Sequence, residues 1–271
     1  MIYKQNLHTH TIYVDGKDTP EAMILEAINK DFDSLGFSEH SYVEFSKFEP
    51  QLRFSDFQRY IKEINDLKEK YKDKIKIFCG LEMEFYSSMP TDGLDYIIAS
   101  AHYVQIGENY YPVDGSVEEM IALNKKFGND SLKFAKKYFE TISLLPERHK
   151  ADILGHFDLL SKNTERLNYL DVNSKEYLKL GFESINSLKG KIPLFEVNTG
   201  AVSRGYRTSP YPQLEFIKEF KNCGFGAVIT SDCHNKNHLD CDFDNAKELL
   251  EMAGYNSRYV LTDSGFKEIA L

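Results

Sequence analysis

Ile2-Tyr3-Lys4-Gln5-Asn6-Leu7-His8-Thr9-His10 is a short strand-like run, residues 2–7, that ends in two histidines one residue apart. Residues two apart on a strand project to the same side, so both imidazoles can reach one point. The arrangement recurs outward along the chain. Residues 34–37 run into Ser38-Glu39-His40, residues 75–81 end in Gly80-Leu81-Glu82, and residues 96–100 run into Ser100-Ala101-His102. Residues 152–154 lead to Gly155-His156-Phe157-Asp158, residues 193–197 to Phe195-Glu196-Val197-Asn198, and residues 226–230 to Ser231-Asp232-Cys233-His234. Seven short runs therefore each terminate in histidine or carboxylate.

Helical patterns separate these runs. Thr19, Pro20 and Glu21 carry the N-cap, first-position and first-turn signals of a helix start. Ser55 and Gln58 have the spacing of a capping box, opening a helix to about Tyr71 with Phe57, Ile61, Ile64 and Leu67 on one face. Residues 103–150 form the longest stretch without a strand and hold helices near 117–127 and 130–144. Further helices are expected near 174–188, 213–222 and 244–253, with a last strand at 258–261. Short strands alternating with helices predict an α/β fold with a mostly parallel sheet. Seven such units predict a distorted seven-stranded (β/α)7 TIM-like barrel, with a doubly wound open sheet as the alternative. The absence of low-complexity segments, repeats and Gly/Ser linkers predicts a single domain over residues 1–271.

Composition narrows the function. A chain of 271 residues that is 42% hydrophobic can bury one large core. Its net charge of -9 argues against duplex nucleic acid and anionic membrane surfaces as partners, both of which reward a basic face. Cys79, Cys223, Cys233 and Cys241 form no CxxC pair and read as reduced thiols of a cytoplasmic protein. The first residues lack the apolar core of a signal peptide, and no apolar run spans a bilayer.

Barrel strands deliver functional residues at their carboxyl ends. There the chain places six of its eight histidines, His8, His10, His40, His102, His156 and His234, together with Asp15, Glu82, Glu196 and Asp232. A lone histidine after a strand is usually a hydrogen-bonded or surface residue. Six at one end of a barrel point to a metal centre. Imidazole and carboxylate without thiolate suit zinc, manganese or iron. Cys233, between Asp232 and His234, is read as a packing residue, and His149 and His238 as ordinary surface residues.

In order, these motifs resemble the metal-ligand motifs of the PHP (polymerase and histidinol phosphatase) family, from His8 to His234. Leu35-Gly36-Phe37-Ser38-Glu39-His40-Ser41, Ser100-Ala101-His102-Tyr103-Val104, Gly155-His156-Phe157-Asp158-Leu159 and Glu196-Val197-Asn198-Thr199-Gly200-Ala201 look like those of its monofunctional histidinol-phosphate phosphatases. The resemblance implies a distorted barrel with the active site at the C-terminal ends of the strands and two to three divalent ions. It implies His8, His10, Glu82 and Asp232 around one ion. Glu82, His102 and His156 would hold a second, and Asp15, His40 and His234 a third. Glu196 is not among those ligands; it shares a strand face with Asn198, and both are expected behind the ligands or beside the substrate.

The implied reaction is hydrolysis of a phosphomonoester, L-histidinol phosphate, in histidine biosynthesis. Two adjacent ions lower the pKa of a bridging water toward neutrality, and the resulting hydroxide would attack phosphorus in line. Asp232 or His234 would relay a proton to the leaving alkoxide. Arginine is scarce, yet Arg204 and Arg207 fall in the loop after the sixth strand and are candidates for phosphate binding, with Arg53 and Lys162 as further cations. Tyr42, Glu44 and Phe45, with Tyr103 and Asp114, could read an imidazole and an amine, or form a lid packed on itself.

Other readings remain at this level. A PHP phosphoesterase could act on a nucleotide or a phosphotyrosine. An amidohydrolase barrel also begins with HxH, but usually carries a metal-bridging lysine where this chain has His102. A metal-binding module without activity is the non-enzyme reading. Oligomeric state is open.

Overall fold

The computed structural model of the chain describes residues 3–46 and 51–271. Seven parallel strands form one sheet: β1 (Gln5–Asn6), β2 (Ser34–His40), β3 (Lys76–Glu84), β4 (Tyr96–Ser100), β5 (Ile153–Leu154), β6 (Leu194–Asn198) and β7 (Gly226–Thr230). Neighbours in the sheet are neighbours in the chain, so the order never reverses as a doubly wound sheet would require. The two edges approach through one parallel bridge, Thr9 to Cys233, where the His10 N–H donates to the Cys233 carbonyl at 2.9 Å. The sheet is thereby a nearly closed, distorted barrel, as expected.

Helices return the chain between strands: α1 (Pro20–Asn29), α2 (Phe54–Tyr71), α3 (Val117–Lys126), α4 (Ser131–Ser143), α5 (Lys175–Leu188), α6 (Leu214–Asn222) and α7 (Phe243–Met252). Thr19 caps α1 as its sequence predicts, its hydroxyl accepting from Ala22 N at 3.2 Å. The expected Ser55–Gln58 capping box does not form. α2 begins one residue before Ser55, with Arg53 at the N-cap position and no side-chain cap. Ser55 thus lies inside the first turn, where its hydroxyl cannot serve as an N-cap.

Among the described residues, one antiparallel hairpin and the partner strand of a second lie outside the expected set. Tyr103–Ile106 pairs with Asn109–Pro112 in the stretch read as strand-free, turning at Gly107, whose φ is 62°. A two-residue turn beginning with glycine is a hairpin signal, so this one was present in the sequence. The expected last strand exists as Ser257–Thr262. It pairs with Gly265–Ala270 and lies outside the barrel sheet. Residue 2, the expected start of the first strand, lies outside the described residues.

Period-two alternation separates two apolar layers. Ile77, Cys79 and Leu81 of β3 pack outward on Phe57, Tyr60, Ile61 and Ile64 of α2. Phe78 faces inward with Leu7, Tyr96, Ile98, Ile153, Leu194 and Val228, joined by Leu261, Tyr259 and Phe266 of the C-terminal hairpin. The barrel's lower interior is therefore a packed apolar plug. Tyr96 crosses it, and its hydroxyl donates to the carbonyls of Leu7 and Phe37. Gly36 and Gly80 make room for that ring, since a Cβ at either position would collide with it. Above the plug, the inward-facing positions turn polar.

Candidate metal centre

Each strand end contributes to one cluster. Glu82 of β3 stands in register with His40 of β2. His8 and His10 follow β1, His102 and His156 follow β4 and β5, and Asp232 and His234 follow β7. Glu82 lies at the middle. Its Oε1 is 2.7 Å from His156 Nε2 and 3.3 Å from His102 Nε2. Its Oε2 is 2.6 Å from His40 Nδ1, 3.4 Å from His8 Nε2 and 3.7 Å from His10 Nε2. Asp232 Oδ1 is 3.2 Å from His10 Nε2 and 3.7 Å from His8 Nε2. Asp15 Oδ2 is 3.1 Å from His234 Nε2 and 3.8 Å from His40 Nε2. All nine residues expected as ligands converge.

Their donor atoms form four overlapping groups that could each hold an ion: His10, Asp15, His40 and His234; His8, His10 and Glu82; His8, His156 and Asp232; and His40, Glu82 and His102. Asp15, His40 and His234 come together as the resemblance implies. The geometry differs in grouping His156 with His8 and Asp232, and in letting His40 face two groups. His8 Nε2, both ring nitrogens of His10 and Asp232 Oδ1 are buried yet make no hydrogen bond, and Glu82 Oε2 is buried with His40 Nδ1 at 2.6 Å. Buried polar atoms without a partner are costly, and here they aim at one another across ligand-like separations. The donor set fits divalent ions of the zinc, manganese or iron kind. Cys233 is buried in the outer apolar layer, and burial pushes its thiol up to about 12, so it is no ligand.

Electrostatics give the cluster its character without metal. Burial favours neutral imidazole, but Glu82 and Asp15 outweigh it at His40 and lift its pKa to about 9. Burial likewise opposes the rise at His8, where Glu196, Glu82 and Asp232 prevail. His10 goes the other way, down to about 3, because burial is reinforced by His40 and His234. Its ring stacks on those two at 4.2 and 4.3 Å. Burial pushes Glu82 up, yet His102, His40 and His8 hold it well below the usual carboxylate range. Protons thus occupy part of the space that cations would take.

A second layer orients the first. Glu196 Oε2 lies 2.9 Å from His8 Nδ1 and accepts from the Thr230 hydroxyl at 2.8 Å. Its Oε1 accepts from His156 N at 2.7 Å and Asn198 Nδ2 at 2.8 Å. Glu196 and Asn198 therefore stand behind the ligands, as their shared face suggests. Two carboxylates were missed by sequence reasoning. Glu39 accepts from the backbone and hydroxyl of Thr11 at 3.0 and 2.5 Å, and burial pushes it up to about 8 against those bonds. Glu84 meets His102. Glu84 follows Glu82 at period two on β3, which is the signal that could have found it.

The cluster opens into a pocket of about 280 Å³ walled by Ser41, Val43, Gln51, Tyr103, Asp114, Leu159, Lys162, Arg204 and Tyr206. Arg204 reaches it, donating to the Asp232 carbonyl at 2.7 Å and to Asp232 Oδ2 at 3.1 Å; its Nη1 lies 2.9 Å from His234 Nδ1. Lys162 Nζ bridges to Asp114 at 2.9 Å, and Asp114 is held at about 2 against burial by Lys162 and His102. Arg207 does not reach the pocket. It is buried against Tyr211, 3.9 Å from Asp158, and donates to Ser161. Its position after β6 predicted the loop, but the buried Asp158 draws the guanidinium inward. Tyr42 and Glu44 are also outside the pocket lining: Tyr42 packs on Phe54 at 5.7 Å, and Glu44 is exposed. Phe45 stacks on Tyr110 at 3.7 Å and edges Tyr103 and Tyr86, so this part of the loop packs on the hairpin. Arg53 is exposed at the start of α2. His149 is no surface residue; it is half-buried, its Nε2 donating to the carbonyls of Glu84 and Phe85 at 3.0 and 3.2 Å.

The chain is similar to known proteins. The PHP domain family model matches residues 6–191. A Schizosaccharomyces pombe protein named "Probable histidinol-phosphatase" is 29% identical, over 92% of this chain and 87% of its own. The Lactococcus lactis histidinol-phosphatase is 27% identical, over 97% of this chain and 96% of its own. A crystal structure of histidinol phosphate phosphatase from Lactococcus lactis, complexed with zinc, L-histidinol and phosphate, superposes with a TM-score of 0.75 at 23% identity, covering 97% of this chain and 98% of that one.

Proposed function

The chain belongs to the PHP domain family, and from that premise we propose that it is a metal-dependent phosphomonoesterase that hydrolyses L-histidinol phosphate to L-histidinol and phosphate. The observation that carries this is the nest of buried, unbonded imidazole and carboxylate atoms around Glu82, opening into a pocket with its own cations. The names of its relatives supply the choice of ester. The whole chain acts as one barrel domain.

His8, His10, Asp15, His40, Glu82, His102, His156, Asp232 and His234 would hold two to three zinc, manganese or iron ions. Bound there, the ions would activate water and neutralise charge on the phosphate oxygens. The chain's own groups do the rest. Arg204 presents a planar guanidinium beside Asp232, suited to two phosphate oxygens. Lys162, held by Asp114, adds a second cation to the pocket lining. Asp232 and His234, both lining the pocket, would relay a proton to the leaving alkoxide. Glu196 keeps the His8 Nδ1 proton, which leaves Nε2 facing the cluster.

The test is phosphate release from L-histidinol phosphate by zinc- or manganese-loaded protein, beside a nucleoside monophosphate and p-nitrophenyl phosphate. Preference for histidinol phosphate by orders of magnitude in kcat/KM, lost on chelation, is the expected result. His102→Ala should lower it at least about 100-fold. Slow, similar cleavage of all three esters would leave a PHP phosphoesterase of another substrate; no cleavage by metal-loaded protein would end the phosphatase reading.

A further inference from the structure

β3 runs two residues past Glu82, and that extension places Glu84 beside His102. Glu84 Oε2 accepts from the His102 backbone N–H at 2.7 Å and lies 3.0 Å from its Nδ1. The other ring nitrogen, Nε2, faces Glu82 Oε1 at 3.3 Å. A carboxylate cannot donate when ionised, so the contact requires Nδ1 to carry the hydrogen. In the neutral ring that would bind an ion, the Nε2 lone pair is then left toward the cluster.

Glu84 is itself held from three directions. Its backbone N–H donates to the Ser41 hydroxyl at 2.8 Å. Its carbonyl accepts from His149 Nε2 at 3.0 Å. β3–β4 pairing sets it opposite Ser100, two residues before His102. The side chain is almost fully buried. It borders the pocket beside His102 but belongs to none of the donor groups that could hold an ion, and it meets His102 Nδ1 as Glu196 meets His8 Nδ1.

We infer that Glu84 is a positioning residue of the metal centre: it fixes the ring plane and tautomer of His102, and so the retention of the ion that His102 helps to hold. The inference rests on the metal-centre reading above. It does not depend on which phosphate ester is cleaved.

Zinc binding by Glu84→Gln tests it, because glutamine keeps the shape and loses only the charge. Zinc per chain is measured after dialysis, and affinity by competition with a chelator, with no phosphate ester present. Zinc affinity at the weakest site should fall about 10- to 100-fold, with about one ion lost on dialysis. In a His102→Ala background, Glu84→Gln should change nothing further, since its route of action is gone. Wild-type zinc retention in Glu84→Gln would overturn the inference. An equal loss in the His102→Ala background would also overturn it, because Glu84 would then act by another path. Should the variant misfold, long-range nitrogen–proton spectra of the zinc-loaded wild type decide: His102 protonated on Nδ1 supports the inference, and protonated on Nε2 overturns it.

Discussion

A single charged side chain here takes its role from its neighbours, as the two arginines after β6 show. Both were plausible phosphate ligands by position. Arg204 faces the pocket with Asp232 and His234, whereas Arg207 is buried beside Asp158. Lysine at 204 would keep the charge but lose the planar fork. Arg204→Lys should therefore lower kcat/KM for histidinol phosphate about 10- to 100-fold while zinc content stays unchanged, measured by steady-state kinetics beside metal analysis. The nine ligand candidates were legible as residues because metal chemistry restricts the types that serve. Glu84 and Glu39 were not, because a carboxylate that supports a ligand is defined by the strand or loop beside it. His149 was misread for the same reason, since its partners are carbonyls distant in sequence.

Elements were legible where periodicity was strong. β4 and β7 have the bounds their apolar runs suggest, and β2 and β3 extend a few residues further, carrying His40 and Glu84 into ladder pairing. The Tyr103–Pro112 hairpin was overlooked because a two-strand ribbon buries little and leaves a weak pattern. The α2 capping box failed because the preceding residues set where the helix starts. Inside the barrel, Tyr96 depends on two glycines from neighbouring strands. Gly36→Ala and Gly80→Ala should each destabilise by about 1–3 kcal/mol or more, read by urea unfolding. A Cβ on residue 36 meets the Tyr96 hydroxyl first, whereas one on residue 80 meets the ring. Leu7 Cδ2 lies 2.9 Å from the Cβ on residue 36, so Tyr96→Phe should relieve part of the Gly36→Ala penalty and little of the Gly80→Ala penalty, a non-additivity visible in a double-mutant cycle.

The whole molecule closes its barrel through the cluster. His10 sits on the Thr9–Cys233 bridge, and its own ring faces Asp232 of the opposite edge. Ions there would tie β1, β3 and β7 together, so chelation should lower the melting temperature by roughly 5–10 °C. The drop should depend on pH. In the metal-free protein His40 is raised from 6.5 to about 9, so its protonated form stabilises the fold fully below pH 6.5 and that contribution is lost as pH rises through about 9. His8 and His102 shift in the same direction. Differential scanning calorimetry should find a larger chelator effect at pH 9 than at pH 7; equal effects would mean that protons do not substitute for metal. Among the described residues, no helix is long and apolar enough to cross a membrane.

The sequence by itself determined the seven strand ends and the residue types placed on them, because strand periodicity and ligand chemistry are both local properties of the chain. Tertiary structure alone decided which of those residues meet. Glu82 is central because β3 lies between β2 and β4 in register, so His40 and His102 reach it from either side. Packing then set the charge of the cluster's histidines: Glu82 and Asp15 lift His40 against burial, while burial with His40 and His234 depresses His10, whose ring centroid lies 4.2 Å from that of His40. Such shifts depend on distance and desolvation, which are set by packing between segments far apart in sequence.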